Sequence, residues 1–175
     1  MTAIMEAFAA IKAFLDQGGG VLVLIAILTF LMWTLIFERV WYFKGGLKSD
    51  VQAALDQWES RSERKSWNAH QIREAMISRI SEKINTNMDM IATMVSLCPL
   101  LGLLGTVTGM IEVFNVLAMT GGGDAKQMAG GVSRATIPTM AGMVAALSGL
   151  FANTYLERIA DRENHLFADH LTMDH

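Results

Sequence analysis

The chain has 175 residues, of which 52% are hydrophobic and only 18% charged, with a formal net charge of −3. That length leaves room for one compact unit, and the charged share falls short of the roughly 25% of an average soluble domain, which argues against an ordinary soluble fold. A lone cysteine, Cys98, excludes an intrachain disulfide and a cysteine metal cluster.

Charge is sparse because long stretches contain none. Residues 18–37, 90–111 and 135–156 lack any Asp, Glu, Lys or Arg over 20, 22 and 22 positions. At a helical rise of about 1.5 Å per residue each is roughly 30 Å long, the hydrocarbon thickness of a bilayer. Three such stretches in so short a chain leave too little polar surface for a soluble protein. The fold class expected is an all-α membrane protein with three transmembrane helices and long cytoplasmic helical extensions.

In chain order, residues 1–17 place Ile4, Phe8, Ile11 and Leu15 on one helical face and Glu6, Lys12 and Asp16 on the other. That is the pattern of a short helix lying in the membrane interface, with a disordered leader as the alternative. Gly18, Gly19 and Gly20 separate it from the first span, placed at 18–43 with an aromatic girdle from Trp33 to Phe43. Acidic Glu6 and Asp16 before the apolar core, and Trp33, Phe37 and Trp41 at its far end, are unlike a cleaved signal peptide, so a retained helix is expected.

Residues 44–88 form a charged loop. The segment 38–89 carries nine of the fourteen basic residues: Arg39, Lys44, Lys48, Arg61, Arg64, Lys65, Arg73, Arg79 and Lys83. Arg158 and Arg162 follow the third span, whereas only Lys12, Lys126 and Arg134 fall on the opposite side. By the positive-inside rule the loop and the 158–175 tail are cytoplasmic, and the N-terminus and the 113–133 loop face the other way. Val51, Leu55 and Trp58, then Ile72, Met76, Ile80 and Ile84, recur at helical spacing, and the second stripe is expected to lead directly into the second span at 89–112. Gly121, Gly122 and Gly123 mark a turn in the outer loop, and Gly130 and Gly131 stand just before the third span at 134–157.

The second and third spans differ in composition from the Leu-, Ile- and Phe-rich first. Gly102, Gly105 and Gly109, and Gly142, Ala146 and Gly149, lie about one turn apart and permit close helix contact. Thr106, Thr108, Thr136, Thr139 and Ser148 carry hydroxyls that either bond back to helix carbonyls, join two helices, or line a polar conduit. Thr106 and Thr139 fall at matching depths, roughly 6–8 Å inside the outer boundary, as one polar layer. Pro99 and Pro138 each remove a backbone donor inside a span. Glu112 and Arg134 close the two spans at the outer mouth, either as an ion pair or as two interfacial charges in contact with water. None of the three charge-free stretches contains a carboxylate, histidine or lysine, so a proton pathway built with this chain needs a titratable group from elsewhere.

The run Gly102-Leu103-Leu104-Gly105-Thr106-Val107-Thr108-Gly109-Met110, followed by Gly131-Val132-Ser133-Arg134-Ala135-Thr136-Ile137-Pro138-Thr139-Met140-Ala141-Gly142, resembles the two pore helices of the ExbB, TolQ and MotA family of proton-channel proteins. Within it the layout is similar to the short ExbB variety of TonB energy-transduction systems. The resemblance implies a bacterial inner-membrane protein with its N-terminus and 113–133 loop periplasmic, and a homo-pentamer whose second and third helices surround a pore and whose first helix lies outside. It implies as partners an ExbD-like dimer of single-span chains in the pore, each supplying an aspartate that faces Thr106 and Thr139, and a TonB-like protein that passes the work to outer-membrane import. Membrane lipids are the remaining partners, with no cofactor, no metal and no nucleic acid. Many relatives carry a glutamate where Arg134 stands, which puts the organisation of the outer vestibule in doubt.

An oligomeric membrane scaffold or assembly protein without proton conduction is the alternative. An enzyme is weakly supported: His70, His165, His170 and His175 show no zinc spacing, and no phosphate loop is present.

Overall fold

The computed structural model describes residues 2–61, 63, 66–121 and 125–171. Helices dominate: α1 Thr2–Trp41, α2 Leu47–Glu59, α3 Trp67–Asn85, α4 Met88–Thr120 and α5 Ala125–His170, with one wider π-helical turn, Tyr42–Gly46, joining α1 to α2. No strand occurs among the described residues. Three helical stretches are long and apolar enough to cross a membrane, in agreement with the three charge-free stretches of the sequence. No more than 33% of the most apolar part of any of them is buried. So much uncovered apolar surface has to face lipid or another chain.

α1 is broken at Gly19, whose φ of 67° and ψ of −166° belong to a region that glycine alone occupies cheaply. The segment before the break leaves Ile4, Phe8 and Ile11 exposed. Other boundaries depart from the sequence reading. α3 does not run directly into α4, because Thr86 turns extended (ψ 134°) and Asn87 takes φ 64°. Asparagine is one of the few residues besides glycine that visits this left-handed region routinely, since its short amide can bond locally. At the other end α4 continues to Thr120 and α5 begins at Ala125, so most of the expected 113–133 loop is helical and Gly130 and Gly131 lie inside α5. Gly131 is there for contact: a Cβ on it would come within 2.6 Å of Val113 Cγ2. Gly121, with φ 71°, follows α4 as expected of a turn, while Gly122 and Gly123 lie outside the described residues, as do Arg64, Lys65 and His175.

The chain divides into two compact units. One consists of α1 up to Trp33 with Thr93–Leu150. It centres on Ile25, Cys98 and Ala145, with Val21, Leu28, Leu101 and Ala146 packed around them. The other consists of Thr34–Ala92 and α5 from Phe151 onward. Its core gathers Leu47, Trp58, Met76, Ile80, Ile84, Phe167 and Leu171, so both helical stripes read from the sequence are packed inward, with Val51, Leu55 and Ile72 at the margin. Ser66 caps α3 by accepting from the Ala69 N–H at 3.3 Å. Arg73 reaches from α3 to the end of α5, donating to the carbonyls of Ala168 (2.8 Å) and Leu171 (2.7 Å). A cation there satisfies orphan carbonyls and opposes the negative end of the helix dipole.

Candidate functional site

The small residues of α4 and α5 set the distance between these helices. Gly102 faces the Pro138 carbonyl and Thr139 Cα, where an added Cβ would sit 2.9 Å from each. Gly142 is tighter, with the Cys98 carbonyl oxygen 2.5 Å from the position of such a Cβ and Gly102 Cα 3.2 Å away. Gly105 accommodates the Pro138 ring, and a Cβ added to Gly109 would sit 2.8 Å from Ala135 Cβ. Gly149 makes room instead for Met32 and Val95, and Ala146 lies at the edge of the Ile25, Cys98 and Ala145 cluster. The antiparallel pair is thus in backbone-to-backbone contact over about three turns.

That approach brings the Thr106 and Thr139 hydroxyls into direct contact. Thr139 Oγ1 also donates to the Gly102 carbonyl at 2.9 Å. Thr106 Oγ1 lies 3.4 Å from the same carbonyl, so one hydroxyl proton is directed to Gly102, the other fills the contact, and the two oxygens keep acceptor capacity between them. The remaining hydroxyls are locally satisfied. Thr108 donates to the carbonyls of Leu104 and Gly105, Thr136 to Ser133 and Ser148 to Ala145. The alternatives left open for the five hydroxyls are therefore resolved unequally, with three bonding back to their own helix and two meeting across the pair. Such a pair can accept and pass a hydrogen bond, but it cannot carry charge by itself near neutral pH.

Glu112 and Arg134 line one cavity of about 880 Å³ together with Asp16, and all three side chains are exposed. No ion pair joins Glu112 to Arg134 among the described residues. Gly105, Gly109 and Pro138 border the same space, and Val21, Leu24, Val113 and Val116 supply apolar wall. The sequence reading paired Glu112 with Arg134 and missed Asp16, although the signal was available: each of these residues is the first charge beyond one end of a charge-free stretch.

The profile of the MotA/TolQ/ExbB proton channel family matches residues 43–169, well over half of the chain. An ExbB-like biopolymer transport protein of Synechocystis is 43% identical over 82 residues, which cover 45% of this chain and 32% of that protein. Biopolymer transport protein ExbB of Xanthomonas campestris is 32% identical over 83 residues, covering 47% of this chain and 33% of its own length. The Helicobacter pylori ExbB is 33% identical over 85 residues, covering 49% and 59% respectively. The chain thus spans about a third of the first two relatives. With three membrane-crossing helices and a family match running from the end of α1 nearly to the end of α5, the chain belongs to the MotA/TolQ/ExbB proton channel family.

Proposed function

We propose that this chain is the ring subunit of an inner-membrane motor driven by proton flow, of the type in which an ExbB ring, an ExbD-like pair and a TonB-like protein energise outer-membrane import. The observation that carries the reading is the Thr106 and Thr139 hydroxyl pair, set between two helices whose charge-free stretches hold no carboxylate, histidine or lysine. A hydroxyl pair with spare acceptor capacity suits a protonated carboxylic acid, and a carboxylate brought by a single-span partner supplies the charge change that this chain lacks. In this arrangement copies of α4 and α5, five in a pentamer, form the wall around the partner helices, and Gly102, Gly105, Gly109 and Gly142 keep the wall thin.

A scaffold without conduction retains one specific support, since Thr139 already bonds to the Gly102 carbonyl and so holds the two helices together. Thr139→Val separates the two readings. In vesicles containing this chain and a single-span partner with an intramembrane aspartate, the motor reading expects proton uptake to fall to background in the variant while the assembly keeps its mass. Unchanged uptake leaves the hydroxyl with a packing role only.

A further inference from the structure

The cavity bordered by Asp16, Glu112 and Arg134 has an unusual address. Asp16 stands just before the first charge-free stretch, Glu112 just after the second and Arg134 just before the third. All three line the same space, so the cavity opens at one membrane–water boundary. From the level of those charges its wall runs inward over Val21, Leu24 and Pro138 and outward over Val116 and Leu117. The turn at Gly19, which also lines it, redirects α1 between Asp16 and Val21. Its volume of about 880 Å³ falls within the roughly 300–1,000 Å³ typical of sites that enclose a small amphipathic ligand.

We propose that this cavity holds one phospholipid with a zwitterionic, primary-amine headgroup, its ammonium on the carboxylates of Asp16 and Glu112, its phosphate on Arg134 and part of an acyl chain along Val21, Leu24 and Pro138. Charge complementarity selects the headgroup. Two carboxylates and one guanidinium match a cation and an anion carried by one molecule, whereas a purely anionic headgroup would bring its phosphate to two acids with only one base to offset them. A primary ammonium supplies three N–H donors for charge-assisted bonds, and Arg134 offers its planar fork to the phosphate. The rim matches the two ends of the headgroup, and the apolar wall matches the acyl chain that leads from it into the bilayer. Asp16, Val21 and Leu24 precede the stretch matched by the family profile, so the site does not follow from family membership. It is also independent of proton conduction: the lipid site fails or stands whether or not the ring turns.

The test uses the full chain, as it assembles, extracted in mild detergent from vesicles of equal parts phosphatidylethanolamine, phosphatidylglycerol and phosphatidylcholine, with retained lipid counted by native mass measurement. About one phosphatidylethanolamine per chain is expected to stay. Phosphatidylcholine, whose ammonium has no N–H to donate, is expected to be retained less. Asp16→Asn combined with Glu112→Gln is expected to lower the ratio of phosphatidylethanolamine to phosphatidylglycerol retained by about tenfold or more, the loss of charge-assisted hydrogen bonds. Arg134→Gln is expected to release the lipid. Leu24→Trp keeps every charge and fills the apolar wall, and it too is expected to empty the site. Equal retention of phosphatidylglycerol, a ratio indifferent to the double substitution, or an intact assembly that carries no lipid because a neighbouring copy fills the cavity would each overturn the proposal.

Discussion

At Arg39 a guanidinium only 4% exposed is held at the end of an apolar stretch by three kinds of contact. It donates twice to the Glu38 carboxylate, at 2.8 and 2.9 Å, once to the Lys83 carbonyl at 3.0 Å, and lies 4.8 Å over the Tyr42 ring. Arg39→Met keeps the stem and strips the donors, leaving the Lys83 carbonyl at the end of α3 without its charged partner. The loss of about 1.5–3 kcal/mol expected for hydrogen bonds to a charged group should lower the melting temperature in detergent by roughly 5–10 °C. A neighbouring cluster is sensitive to acid. The Lys83 ammonium at 2.9 Å, and then the Tyr42 hydroxyl at 2.8 Å, hold the Asp50 carboxyl below the usual carboxylate range. Its folded value lies below its unfolded one, so the stability it contributes is present above about pH 4 and is lost as pH falls through the folded value. Asp50→Asn should therefore flatten the acid limb of a melting-temperature profile below about pH 4 and leave the neutral region nearly level. The long-range contacts were not legible from sequence, because Arg39 meets Lys83 across 44 positions and Arg73 meets Leu171 across 98. Periodicity marks which face a side chain occupies and is silent about which distant carbonyl it finds.

Between α4 and α5 the glycines are not interchangeable. A methyl on Gly142 would press on the Cys98 carbonyl, which is backbone and cannot rotate away, whereas one on Gly130, also inside α5, would meet nothing within 4 Å. Gly142→Ala should cost at least about 2–3 kcal/mol through forced separation of the helices. Gly130→Ala should stabilise the helix by about 0.5–1 kcal/mol through reduced backbone freedom. Thermal melts of the two variants side by side check both signs. The spacing of Gly102, Gly105 and Gly109 told that close contact was coming, since small residues one turn apart have few other uses in an apolar helix. The same logic misled at Gly130 and Gly131, read as loop because paired glycines usually interrupt helices. Gly131 is instead a contact glycine against Val113, and the helix runs through. The break at Gly19 was visible as a glycine run, whereas the one at Asn87 carries no glycine at all.

For the whole molecule, the exposed apolar surface is the dominant fact. Leu100, Leu103, Val107, Ile111, Met143, Val144, Leu147 and Phe151 are all uncovered along α4 and α5. Lipid can cover such a surface, but the thin, glycine-lined pair suits association of copies. Native mass measurement in mild detergent should find an oligomer, and a solely monomeric species would count heavily against the ring. Vesicles containing that oligomer without a single-span partner should pass protons no faster than empty ones, because the charge-free stretches hold no carboxylate, histidine or lysine; conduction by the chain alone would overturn the division of labour between ring and partner. The number of spans was legible because an absence of charge survives any error in helical phase. The cavity rim was legible only in part, since three charges far apart in sequence converge there through the packing of α1 with the other two helices.

Pro138 gives α5 a property that its 46 residues of unbroken helix conceal. With no N–H of its own, it leaves the Arg134 carbonyl without the usual rung, and its fully buried ring lies in the space left by Gly105. The stiffness of the rod is therefore uneven, lowest one residue from the Thr139 hydroxyl. A bend in α5 thus costs least at the level of the Thr106 and Thr139 hydroxyls, and any tilt of its outer turns is taken up there.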